Sequence, residues 1–189
     1  MRTLLRPALS LFAALTLLTG VVYPLTVTGL GQLLFPHAAN GSIVTLGGKA
    51  VGSALIGQPF ASPAYFWGRP SATAPHPYNA AASAGSNLGP LNPALTAAVE
   101  ARIAALKTVD PANLRSVPID LVTASASGLD PDISLAAAYY QAARVARARN
   151  LEQSLVRALI ERHAQHPWLG IVGEPRVNVL QLNNALDSY

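Results

Sequence analysis

The chain is predicted to be an α+β domain carried behind one N-terminal transmembrane helix, on three observations. A run of 42 residues, Pro7 to Gly48, contains no Asp, Glu, Lys or Arg. Beyond it, apolar residues recur at helical spacing in separate segments, with short β-prone stretches between them. A long intervening stretch, 58–93, follows neither the strand nor the helix period and is rich in Pro, Gly and aromatic residues. The expected organisation is a cytoplasmic N-terminus at 1–6, a membrane-spanning segment at 7–35 with its core at about 8–28, and an extracytoplasmic domain at 36–189.

Within the apolar run, Pro7 to Phe35 as helix reaches about 43 Å, against a hydrocarbon core of about 30 Å. A signal peptide is the rival, but its apolar region is shorter and ends at a small-x-small site, and here only a poor one lies near Thr26 and Thr28. Arg2 and Arg6 flank the first end, and the next positive charge is Lys49. The positive-inside rule then places the N-terminus in the cytoplasm and the domain outside, in the cell (inner) membrane. Tyr23 suits an outer interface, and Pro24 is expected to end or kink the helix. Ser10 with Ala14, and Thr16 with Gly20, give small-xxx-small spacing on a face where another helix could pack.

After the helix, Asn40-Gly41 and Gly47-Gly48 bracket Ser42 to Leu46, a predicted hairpin with the strand that follows. The 58–93 stretch is read as an ordered functional loop, because disordered segments are usually more charged and less aromatic. Asn92 is expected to cap a helix with Pro93 at its first position and Leu95, Val99, Ile103 and Leu106 inward. Val117 to Ala124 reads as a short strand, with Pro118 at its start or edge. Asp132 or Ser134 opens a helix whose apolar face is Leu135, Ala138, Tyr139, Ala142 and Val145. Asn150 with Gln153 resembles a capping box for a further helix facing Leu151, Leu155, Leu159 and Ile160 inward. Pro175 to Asn183 reads as a last strand.

Composition excludes several functions. The net charge is +4, but Arg2 and Arg6 are two of the 13 Lys and Arg, leaving 11 against 9 Asp and Glu in the domain. That balance gives no basic face for nucleic acid. Arg144, Arg147 and Arg149 read as a solvated helix face. There is no cysteine, so disulfides, thiolate metal sites and Cys nucleophiles are absent. A Walker A loop is absent, the nearest approach being Gly48-Lys49-Ala50, and no Asp is followed by Lys, as a P-type phosphorylation motif requires. His163 and His166 are two ligands at a helix end and too few for zinc. No nucleophile elbow occurs. No catalytic residue and no metal site is therefore expected.

What remains is a set of strings of small and polar residues. They are Gly52 to Gln58, Tyr65 to Ala72, Tyr78-Asn79 with Gly85 to Pro90, and Asp120 to Pro131. The last reads as a turn into a helix N-terminus whose free amides could meet an anion, or as hydroxyls and Asp130 that only cap the turn. Together with Leu5 to Leu9, Thr19 to Pro24, Arg144 to Leu151, Gly173 to Leu180, Leu182-Asn183 and Ala185 to Asp187, these strings resemble the C subunit of the Kdp-type potassium-transporting ATPase over almost the whole chain. Two departures stand out: Asp132 lies where many members have His, and Gln181 where Glu is common.

The resemblance implies a non-catalytic accessory subunit of a high-affinity, ATP-driven potassium importer. Its partners would be a potassium-binding A subunit, an ATP-hydrolysing B subunit, a small F subunit and the lipid bilayer. It also implies a catalytic-chaperone role that raises the ATP affinity of the B subunit, so ATP enters as a cofactor by resemblance only. That role conflicts with a domain outside the membrane, where cytoplasmic ATP is not available. Candidate subunit contacts are Ser10, Ala14, Thr16 and Gly20 on the helix, and Tyr65, Phe66, Arg69, Asn87, Ser125, Ser127 and Asp130 in the domain. The alternative is a membrane-anchored extracytoplasmic enzyme using Arg69, Asp120, Ser125, Ser127 and Asp130, although these show no nucleophile–base spacing.

Overall fold

A computed structural model describes residues 2–167 and 170–189; Met1, part of the expected cytoplasmic end, lies outside them. The chain divides into two units, up to Ile43 and from Val44 onward. In the first, α1 (Arg2–Leu17), a π-helical turn (Leu18–Val22) and α2 (Tyr23–Leu34) run on continuously, followed by the short α3 (Pro36–Ala39). Leu4 to Leu34, 31 residues, is a helix long and apolar enough to cross a membrane. Pro24 does not end it. Pro has no N–H, and its ring crowds the carbonyl four residues back. The wider π turn accommodates this, with Tyr23 N–H donating to the Leu18 carbonyl.

The second unit is α+β. A hairpin joins β1 (Ile43–Leu46) to β2 (Lys49–Ser53). Gly47 and Gly48 both take positive φ, 55° and 79°, which a two-residue primed turn demands. A separate three-stranded sheet has the order β3–β5–β4, where β3 is Asp132–Ser134, β4 is Ala164–Gln165 and β5 is Arg176–Asn178. Both pairings are antiparallel, and Val177 stands opposite Ile133 on one side and Ala164 on the other.

The helices are α4 (Pro93–Val109), α5 (Leu135–Arg149), α6 (Gln153–His163) and α7 (Val179–Leu186). Asn92 caps α4 as expected, accepting from Ala94 N–H, and Leu106 is its buried residue. Of the two expected openers, Ser134 caps α5, its side chain accepting from Ala137 N–H, while Asp132 lies two residues back at the start of β3. The core lies where α5, α6 and α7 meet the sheet and includes Ile133, Val145, Val156, Ile160, Val177 and Leu182. Phe66 from the long loop is inserted there with 0% exposure. Burying such a ring contributes about 1.5–3 kcal/mol.

Several sequence expectations are corrected. Val117 to Ala124 is not a strand but holds one 3-10 turn, Ile119–Leu121. Leu121 and Val122 are both buried while Ile119 is 75% exposed, a pattern no half-buried strand can produce. The last segment is strand only to Asn178, whose side chain accepts from Gln181 N–H and starts α7. Asn150 is not the cap of α6. It closes α5 in the left-handed conformation, and Glu152 precedes α6 without a side-chain cap. The three arginines do not make one solvated face, and of them Arg147 alone is exposed. Arg144 is 3% exposed, Arg147 pairs with Asp110, and Arg149 pairs with Asp187 at 2.6 Å.

Candidate functional site

The polar strings converge where the long loop meets the turn at 125–130. The turn first satisfies itself. Ser125 Oγ accepts from Gly128 N–H at 2.9 Å, Ser127 Oγ from Leu129 N–H at 3.1 Å, and Asp130 from Asp132 N–H at 3.0 Å. The reading in which these groups cap the turn is thus the one that holds. No free helix N-terminus follows it, because β3 intervenes and Asp120 accepts from Ser134 N–H and its hydroxyl at 2.7 and 3.2 Å.

The loop then ties on. Ser71 Oγ donates to the Gly128 carbonyl at 2.7 Å and accepts from Tyr78 N–H at 2.9 Å. Ser127 O accepts from Ala84 N–H and from the Ser83 hydroxyl. Gly128, at φ 68°, has no room for a side chain: a Cβ would sit 2.6 Å from the Ala84 carbonyl oxygen. Arg69 bridges loop and turn through an ion pair with Asp130 at 3.1 Å, while its Nε is buried without a partner.

Arg69 borders three depressions. One, about 250 Å³, lies among Phe60, Trp67, Tyr78, Arg102 and Leu106. Another, about 320 Å³, carries Asp120, Asp130, Asp132, Glu174 and Arg176. The third is shallow and follows the turn beside Leu55 and Ile56. Burial, reinforced by Asp130 and opposed by Arg69, pushes the Tyr78 phenol up to about 12. Burial also raises the Asp132 carboxyl, with Asp130 adding, against the pull of Arg176 and the Asn178 hydrogen bond.

Other predicted residues lie elsewhere. Tyr65 donates to Asp187 at 3.0 Å, with the Arg149 guanidinium stacked 4.6 Å over its ring. Phe66 is a core residue, held by Asn183, which accepts its N–H at 2.8 Å and donates to its carbonyl at 3.0 Å. A partner could reach Phe66 only if the core opened. Asn87 is exposed and left-handed at φ 51°. Ser10 and Ala14 share one face of α1, whereas Thr16 and Gly20 point about 120° around the axis, so the pairs make two faces and not one. The Ser10 hydroxyl already donates to the Pro7 carbonyl.

Sequence reasoning missed Gln141, Arg144 and Asn183, which hold the loop's aromatic run. Gln141 accepts from Trp67 N–H at 2.8 Å and donates to its carbonyl at 3.1 Å. Arg144 donates to the Pro63 and Tyr65 carbonyls and lies 4.8 Å over the Trp67 ring. Polar residues embedded in an apolar helix stripe were the available signal. Gly48 lies in the hairpin turn and Lys49 opens β2, which does not fit the strand–loop–helix cradle a nucleotide phosphate needs. Among the described residues no group of three His, Cys, Asp or Glu could hold a metal.

Residues 5–188 match the family model described as "K+-transporting ATPase, c chain". Proteins called "Potassium-transporting ATPase KdpC subunit" are similar over nearly all of their length. The one from Methylibium petroleiphilum is 66% identical over 187 residues, covering 99% of this chain and 98% of its own. That from Polaromonas naphthalenivorans is 65% identical over 188 residues, covering 100% and 96%. That from Herminiimonas arsenicoxydans is 62% identical over 189 residues, covering 100% of both. A match of this extent and identity shows the family, and the chain belongs to KdpC, the c chain of the K+-transporting ATPase.

Proposed function

We propose that the chain is a non-catalytic accessory subunit that assembles and stabilises the high-affinity potassium import complex. It spans the cell membrane once through Leu4–Leu34, with Arg2 and Arg6 in the cytoplasm and the α+β domain outside. The helix packs on the A subunit, and the domain covers part of that subunit's external face through the braced loop and turn around Arg69 and Asp130. The B and F subunits complete the assembly.

The observation that carries this reading is the chemistry of the 125–130 turn. Ser125, Ser127, Asp120 and Asp130 all accept hydrogen bonds that hold backbone in place. Side chains committed in this way build a rigid surface and leave no group poised as a nucleophile or base. Any effect on the ATP affinity of the B subunit is, in the same proposal, transmitted through the assembled complex, because the domain and cytoplasmic ATP lie on opposite sides of the bilayer.

Affinity purification of the tagged chain from membranes tests the assembly. A large ATPase should co-purify, and recovery of the chain alone would refute the reading. Topology has a separate readout. A reporter active only outside the cytoplasm, fused after Tyr189, should be active; activity of a cytoplasm-only reporter there would reverse the orientation and reopen direct contact with ATP.

A further inference from the structure

Between the 58–93 loop and α4 lies a pocket of about 250 Å³ whose wall is mostly apolar and includes Phe60, Trp67, Pro70, Leu106 and Leu121. We infer that this pocket takes a carboxylate carried on an aromatic or branched aliphatic body, the carboxylate being held by Arg102. An apolar wall with one placed polar group is the usual form of a small-ligand site. The inference concerns the free chain, so it stands or falls apart from the assembly reading, although Arg69 borders both surfaces.

Arg102 borders the pocket at both ends of its side chain. Its neighbours three and four residues on, Ala105 and Leu106, share its face of α4 and line the pocket with it. At the far end, Nη1 donates to the Val122 carbonyl at 2.7 Å, and the preceding residue, Leu121, is pocket wall. That bond fixes the guanidinium and leaves its other edge free. Nε and Nη2 make no hydrogen bond among the described residues, and neither is enclosed. These two nitrogens are parallel donors on one edge, which a carboxylate meets with two hydrogen bonds.

The cation also lacks a counter-charge. Arg102 is half-buried, no acidic group pairs with it among the described residues, and burial is the cause that lowers its pKa. Asp130, whose charge acts on Tyr78 in the wall, is already paired with Arg69 at 3.1 Å. Glu100 is exposed and lies about 160° around α4 from Arg102.

The other polar side chains of the wall are engaged. The Ser71 hydroxyl donates to the Gly128 carbonyl, the Tyr78 hydroxyl to the Arg69 carbonyl and the Gln58 amide to the Val51 carbonyl. One accessible fork on one cation suits the single charge and two oxygens of a carboxylate. A phosphate would turn its further oxygens against apolar wall. The aromatic and proline surface beside the fork suits a ring or a branched chain.

The same group occurs on a free small acid and on the polypeptide of a neighbouring subunit, and the test separates the two. The full-length chain in a non-ionic detergent is titrated with 3-phenylpropionate, binding being read by saturation-transfer NMR of the probe. Binding should be saturable, and 3-phenylpropionamide, which lacks the charge, should bind about tenfold more weakly or worse. Arg102→Gln should lose about tenfold or more, and Arg102→Lys should lose less, since it keeps the charge without the fork. Ala105→Phe, at an exposed wall position, should block the pocket without touching the charge, which keeps the test decisive where Arg102→Gln disturbs folding. Arg157→Gln, outside the pocket, should change nothing. Loss of probe binding in the purified ATPase complex assigns the carboxylate to a neighbouring subunit, and binding retained there assigns it to a free acid. Failure of the chain to co-purify with an ATPase would refute the assembly reading and leave the free-chain titration standing. Absence of saturable binding to the free chain, equal binding of the amide, or binding insensitive to both Arg102→Gln and Ala105→Phe overturns the inference.

Discussion

Arg144 is a guanidinium at 3% exposure with no ion-pair partner among the described residues. Burial pulls its pKa down to about 10. Its compensation is hydrogen bonding to the Pro63 and Tyr65 carbonyls and to Gln141, plus the face of Trp67. Arg144→Met, which keeps bulk but strands those carbonyls, should lower stability by about 2–4 kcal/mol in chemical denaturation. Arg144→Lys should fall between, since an ammonium lacks the planar fork. Tyr78 supplies a pH prediction. Its folded pKa, about 12, lies above the ordinary value of 10.0, so the neutral phenol is favoured in the fold. The stability this contributes is fully present below pH 10 and is lost as pH rises through about 12. Denaturation midpoints measured across that window should fall in the wild type and fall less in Tyr78→Phe. Neither role was legible in the sequence. Arg144 looked like one member of a solvated cluster, because the carbonyls it meets lie far away along the chain, and Tyr78 like one aromatic in a loop, because its burial beside Asp130 arises only when the loop folds onto the distant turn.

At the scale of elements, two local signals hold while the capping box expected at Asn150 and Gln153 does not. Asn92-Pro93 starts α4, and Gly47-Gly48 closes the hairpin. Signals that depended on which of two adjacent periods wins were read poorly. Asn178 is the instructive case, since a β-prone string becomes α7 once its side chain takes Gln181 N–H. It also donates to the Ala54 carbonyl at 2.9 Å and to Asp132 at 3.2 Å. Asn178→Ala should cost about 2–3 kcal/mol, roughly 1 from the cap and the rest from the stranded carbonyl. Asn178→Asp preserves the cap but loses both donors and faces Asp132 with a second carboxylate. Thermal melts should show it no better than Ala; full retention of stability by Asp would reduce Asn178 to a cap alone.

For the whole molecule, the core residues all belong to the unit that starts at Val44. A chain lacking Leu4–Leu34 should therefore keep the circular dichroism of a folded α+β domain while losing co-purification with the ATPase. An unfolded product would contradict the independence of that core. The sequence by itself determined the apolar helix, the α+β class, the capped α4, the hairpin turn and membership of the family, because each rests on composition, short-range spacing or matching strings. Only the tertiary structure decided that Ser125, Ser127 and Asp130 brace a turn, that Phe66 is core, and that the three arginines serve different partners. It alone brought Arg102 of α4 to the Val122 carbonyl beside one pocket. Those assignments depend on pairings across many tens of residues, where burial and unsatisfied donors select the partner and no local pattern records the choice.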